Sequence, residues 1–190
     1  MKRKILLMLT LSLFAAFFCS AQNERKNQID ELRSAGSPGD GHRILDQLEG
    51  RWKVRGFVRI TKDANPEMVS GTAKLNWILG KRFLQQDFNC SKVDLVLHGL
   101  GILGYDKLQN EYVGIWCDSA NTGIASLSGK LASGGEGIVF QIEQTDLRSG
   151  KRVEGRAEIL FNPNGGFRYS VFMQSGSEWI ELVRLDYKRG

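Results

Sequence analysis

From Trp52 to the C-terminus, runs of alternating apolar and polar residues are cut again and again by short stretches of turn formers, and this punctuation restricts what the chain can become. In "WKVRGFVRI", Trp52, Val54, Gly56, Val58 and Ile60 fall on one side and Lys53, Arg55, Phe57 and Arg59 on the other. A period of two belongs to a β-strand with one face buried. Comparable runs recur around 68–79, 82–90, 93–104, 111–117, 122–131, 136–145, 152–161, 167–174 and 178–187. Between them stand "KDANPE", "LGK", "YDKLQNE", "DSANTG", "ASGGEG", "DLRSGKR", "NPNGG" and "QSGSE", whose Gly, Asn, Asp and Pro residues supply the backbone angles of tight turns.

Strands joined by such short connections are antiparallel neighbours. A meander of about ten strands leaves two bare edges, and closure into a barrel removes both. The expectation is therefore an all-β chain, an antiparallel up-and-down meander of about ten strands closed into a barrel. A short N-terminal helix is expected before it, because Ile44, Leu45 and Leu48 share one helical face and Gly50 is placed to end it. A barrel of this size is wider than side chains readily fill, so an internal cavity is expected. Gly56, Gly114, Gly155, Ala157 and Ser170 thin its wall wherever they point inward.

One segment suggests something different. Gly99-Leu-Gly101-Ile-Leu-Gly104 matches the G-x-G-x-x-G pattern of a dinucleotide-binding loop, and Asp118 stands near where a ribose-binding carboxylate belongs. A βαβ crossover, however, requires a helix after the loop, a connection of at least about ten residues. Residues 102–110 are too few, and they carry no helical apolar face. The strand reading accounts for the glycines better: Gly99 and Gly101 lie on one face and leave a flat patch that a bulky side chain can approach.

The N-terminus is built differently. Lys2, Arg3 and Lys4 precede the apolar run "ILLMLTLSLFAAFF", and Cys19-Ser20-Ala21 offers small residues before Gln22. Residues 1–21 read as a cleavable secretory signal, with lipid attachment at Cys19 as the alternative, disfavoured by the bulk of Phe18. Residues 22–41 read as a polar linker and residues 42–190 as the barrel domain. Cleavage removes three positive charges and lowers the formal net charge from +5 to +2. That balance, with basic residues scattered among acidic ones, points away from nucleic acid. No stable membrane span is expected once the signal has left, and the oligomeric state stays open.

Cys90 and Cys117 are the cysteines that remain. An exported chain favours a disulfide, yet in a meander the strand containing His98 lies between them. Two inter-strand steps separate their Cα atoms by about 9–10 Å, beyond the roughly 7 Å that a bridge spans, so two unpaired thiols are expected.

The stretch "LEGRW" resembles the Gly50-x-Trp52 signature that opens the first strand in lipocalins and other calycins. In that superfamily a basic residue near the end of the last strand packs across the tryptophan, and "ELVRLDY" offers Arg184. The chain is more closely similar to the exported bacterial domain-of-unknown-function family 1579. The likeness rests on "HRILDQLEGRW", "LNWILGKRFLQQDF", "HGLGILGYD" and "YVGIWCDS" in that order, and covers residues 42 to about 187. It implies a lipocalin-like barrel and brings no established activity.

Catalytic patterns are sparse. The chain has no Gly-x-Ser-x-Gly, Ser-x-x-Lys or His-Glu-x-x-His motif. Its two histidines, His42 and His98, do not suffice for a His-rich zinc site, and no metal is expected. Asp87, Asp94, Glu143 and Glu158 sit in strands, where solvated outward carboxylates are the default. His98 shares a strand face with Val96, Leu100 and Ile102; if that face lines the barrel, its imidazole is placed as an axial haem ligand, and otherwise it is a hydrogen-bonded or surface histidine. Trp52, Trp77, Trp116 and Trp179 are either core or grips for an apolar ligand, with Trp52 plugging one barrel end.

The leading expectation is a periplasmic or secreted barrel that binds a small apolar or amphipathic molecule, with His98, Gly99, Gly101, Trp116 and Tyr169 as candidate ligand contacts and Gly50, Trp52 and Arg184 as the structural signature. Haem or metal handling through His98, an envelope scaffold with a filled lumen, and catalysis follow as alternatives.

Overall fold

The computed structural model describes residues 23–59, 63–92, 95–146 and 149–190. The proposed signal, residues 1–21, and Asp94 lie outside the described residues. The chain divides after Ser37. In the first unit, residues 23–35 form an exposed helix, α1, in the segment read as a polar linker. The stretch lacks Gly and Pro and is rich in Glu, Gln, Arg and Lys, which favour helix; Gly36 and Pro38 follow it.

The second unit opens with helix α2 (Asp40–Leu45) and a 3₁₀ turn over Asp46–Leu48. Ten strands follow: β1 (Gly50–Val58), β2 (Glu67–Ile78), β3 (Phe83–Lys92), β4 (Leu95–Asp106), β5 (Glu111–Asp118), β6 (Ala125–Leu131), β7 (Gly137–Thr145), β8 (Arg152–Phe161), β9 (Phe167–Ser175) and β10 (Glu178–Arg189). Each pairs antiparallel with its neighbour in sequence, and β1 pairs with β10, so the sheet closes as an up-and-down barrel. Closure leaves no unpaired edge. Because the order is a meander, the starts of the odd strands and the ends of the even strands share one rim, and α2 enters at that rim.

Alternation then fixes what faces inward. Trp52 and Val54 on β1, Leu84 and Phe88 on β3, Phe140 and Ile142 on β7, and Leu185 and Tyr187 on β10 are buried, while the residues between them are more exposed. The helical rim is plugged: Leu45, Leu48 and Trp52 are at most 1% exposed. The Trp52 indole Nε1 donates to the Leu48 carbonyl at 2.9 Å, and its ring meets Phe167 edge-on at 5.1 Å.

Across the other face of Trp52 lies Arg189, its guanidinium carbon 4.1 Å from the ring centroid, while Nη1 donates to the Glu49 carbonyl at 2.7 Å. The residue expected there, Arg184, is elsewhere. In the β1–β10 register Trp52 stands opposite Arg189, whereas Arg184 stands opposite Phe57, and Arg184 pairs with Glu181 on the outside and lies over the Phe57 ring. Gly50 completes the arrangement. Its φ of 135° is accessible chiefly to glycine, and a Cβ there would sit 2.0 Å from Arg189 Nη1. The Gly-x-Trp pair thus makes room for the cation that covers the indole.

His42 closes the outer side of this plug. It is buried, its Nδ1 accepts the Gly39 N–H at 3.1 Å, and it touches the Trp77 and Tyr105 rings. Burial, then the positive charges of Lys107 and Arg82, hold its pKa below the ordinary 6.5. The unfolded chain therefore takes up the proton first as pH falls. Stability contributed by neutral His42 is complete above about pH 6.5 and is lost as pH drops below it, because protonation puts a charge in a buried site beside Lys107 and Arg82. Urea midpoints should fall between about pH 7.5 and about pH 5.5, and His42→Gln, which keeps an acceptor without a titration, should flatten that slope. An unchanged slope in His42→Gln would assign the pH dependence to other groups.

Candidate functional site

The barrel encloses a cavity of about 870 Å³. It reaches from Leu48 at the plugged end to Asp118, Asn121 and Asp146 at the far rim, so the lumen is not filled by side chains. Most of its wall is apolar: Val69, Phe88, Leu97, Leu103, Leu127 and Val171 all contribute.

The glycine-rich segment is continuous strand within β4, paired on both sides to β3 and β5, with no helix after it. Its inward face explains the glycines. Trp116 on β5 lies flat against them: a Cβ on Gly99 would be 2.2 Å from the indole Cζ2, and one on Gly101 would be 3.3 Å from Cε3. Phe88 meets the same indole edge-on, and Trp116 Nε1 donates to Asp118 at 2.8 Å. The missing side chains allow a large aromatic to lie along the wall instead of projecting into the lumen.

Of the five candidate contacts, Gly101, Trp116 and Tyr169 line the cavity, and Gly99 lies beneath Trp116. His98 does not reach it. The face it shares with Val96 and Leu100 is the outer one, where all three are exposed and the imidazole Nδ1 bonds Asn89 Oδ1. Of the β4 residues, Leu97, Gly101, Ile102 and Leu103 border the cavity and His98 does not, its side chain lying on the strand face opposite Leu97, Gly101 and Leu103. Ser170 likewise faces outward, its Oγ donating to Glu181. Among the tryptophans, Trp116 lines the cavity, Trp52 is the plug, Trp77 packs near His42 and donates to Asp46, and Trp179 is half exposed.

The thiols are unpaired. Cys90 is buried on the inner face, and Cys117 makes a weak contact to the carbonyl of Leu100, its neighbour on β4. Burial raises the Cys90 pKa, which keeps it as a neutral wall residue. The carboxylates weighed as acid or base face outward: Asp87 is exposed, Glu143 pairs with Arg152 and Glu158 with Arg156.

Sequence reasoning passed over the polar groups near the floor. Gln86 on β3 donates through Nε2 to the Tyr187 hydroxyl on β10 at 3.0 Å, across the interior, since β2 and β1 lie between those strands. Tyr169 is next in this group: it adds an electrostatic influence on Tyr187 and keeps some accessible surface in the lumen. Burial pushes both phenols well above their ordinary range, so they are neutral donors at physiological pH. The parity of Gln86 with Leu84 and Phe88 was the available signal.

A closed, ten-stranded antiparallel barrel around an apolar cavity with a small uncharged polar cluster is the class of protein that these features define. Within that class, the chain belongs to the family described as proteins of unknown function, DUF1579, whose model matches residues 37–189. A solved structure, that of Rv2717c from M. tuberculosis, is similar with a TM-score of 0.59 at 14% identity, covering 81% of this chain and 99% of that one. That likeness is one of fold. Comparison with curated proteins found no match.

Proposed function

We propose that the barrel binds a small apolar or amphipathic molecule in its lumen. The observation that carries this reading is the cavity itself: about 870 Å³ of space, walled mainly by apolar side chains, with polar groups at its floor and far rim. Ligand pockets combine this volume and this balance of surfaces. The Gly50-x-Trp52 pair with Arg189 across the indole supports placing the barrel among lipocalin-like calycins. The positively charged, apolar N-terminal segment supports export, with the mature chain beginning after Ala21, which N-terminal sequencing of protein recovered from the periplasm or medium checks.

Titration with N-phenyl-1-naphthylamine, an uncharged probe that fluoresces in apolar surroundings, tests the lumen. One saturable site is expected, and it should disappear in the doubly substituted Leu127→Trp, Val171→Trp protein, whose indoles occupy the space. Absence of saturable binding to the folded wild-type barrel, or binding unaltered by the two indoles, defeats the reading.

A further inference from the structure

The cavity's polar groups are sorted by charge along its length. Among the described residues, its charged lining side chains are Arg59, Asp63, Glu67, Asp118 and Asp146. All five stand at the far rim: in or beside the β1–β2 connection, at the last position of β5, or just after β7. Below them the wall carries Gln86, Tyr169 and Tyr187 and no formal charge among the described residues.

These three groups have hydrogen-bonding capacity to spare. Tyr187 accepts from Gln86, which leaves its own O–H free to donate. The Gln86 carbonyl and the Tyr169 hydroxyl make no hydrogen bond among the described residues, and both belong to side chains that line the cavity. Both side chains are partly exposed and border the lumen, so a polar group of a bound molecule can complete them there. An ionised carboxylate would be a poor complement, because the described residues of the floor include no cation to compensate its lost hydration. A hydroxyl or carbonyl loses far less hydration and finds both donors and an acceptor waiting.

We infer that the floor of the barrel recognises the uncharged hydroxyl or carbonyl end of an amphipathic molecule inserted head first, and discriminates against carboxylates; this rests on the lumen-binding reading above. The apolar tail then lies along Trp116, Leu127 and Val171 toward the rim.

Displacement of N-phenyl-1-naphthylamine by dodecan-1-ol and by dodecanoate, near pH 8 and below their aggregation limits, separates the possibilities. The alcohol should displace the probe at a concentration at least about tenfold lower than the carboxylate. Tyr169→Phe and Gln86→Leu should each weaken the alcohol about three- to tenfold relative to the probe in the same variant and narrow the gap between the two compounds. Tyr187→Phe, which keeps the ring that packs on Phe167, provides a third variant if either of these fails to fold. Equal or tighter binding of dodecanoate overturns the inference while the bound probe leaves the lumen reading standing. A gap untouched by any of the three folded variants also overturns it, by placing the discrimination elsewhere. If the wild-type barrel takes up no probe, the lumen reading and this inference fall together.

Discussion

Trp52→Ala is expected to lower the unfolding free energy by about 3–5 kcal/mol, the range for emptying a large aromatic site in a core. The indole is 1% exposed and closes the barrel with Leu45 and Leu48. Its loss removes the edge contact to Phe167, leaves the Leu48 carbonyl without its donor, and bares the Arg189 guanidinium toward an apolar hollow. Chemical denaturation measures the change; a loss well under 1 kcal/mol would mean that the plug is carried by the helical segment alone. Arg189→Ala should cost a fraction of this, and Arg184→Ala less again, because Arg184 lies on the outer face beside Glu181.

Gly56→Ala should be the second large effect, at about 2–3 kcal/mol. Although alanine suits a strand better than glycine in isolation, here a Cβ would lie 1.8 Å from the Arg184 carbonyl oxygen and 2.9 Å from the Leu185 Cα. Both obstacles are backbone, so β1 and β10 would have to part at the pair that closes the barrel. The variant should unfold at lower urea concentration with an unchanged m-value; a neutral substitution would show that β1 and β10 can separate locally at little cost.

The strands were legible because period and punctuation agree: the runs from Trp52 onward alternate, and each ends in residues that turn. The direction of β4 was not. Its exposed Val96 and Leu100 are as apolar as its Leu97 and Leu103, so hydrophobicity does not say which face is inside, and a shift of one residue exchanges the two. His98 was thereby weighed as a lumen residue, and register places it outside. Arg189 was missed because "YKRG" at the chain end carries no pattern; its position opposite Trp52 exists only once β1 and β10 pair. Gln86 sits in "LQQDF", where its neighbours advertise a solvent face. Helix α1 was hidden by its polarity, since a segment without an apolar face offers no periodicity to read.

The pairing of β1 with β10 also governs how the chain reaches this structure. Arg189 reaches back 140 positions to the Glu49 carbonyl, so the seam joins nearly the two ends of the barrel sequence. Hairpins from β1 to β9 can zip locally, but no order of their assembly seals the cylinder until the last strand is present. During synthesis β1 therefore waits with an unsatisfied edge and an uncovered indole while the remaining strands emerge. Contacts this distant in sequence close slowly, and a chain stalled or cut before β10 presents two open edges to any neighbour. Pairing of β10 thus sets the moment at which the barrel's last open edges disappear.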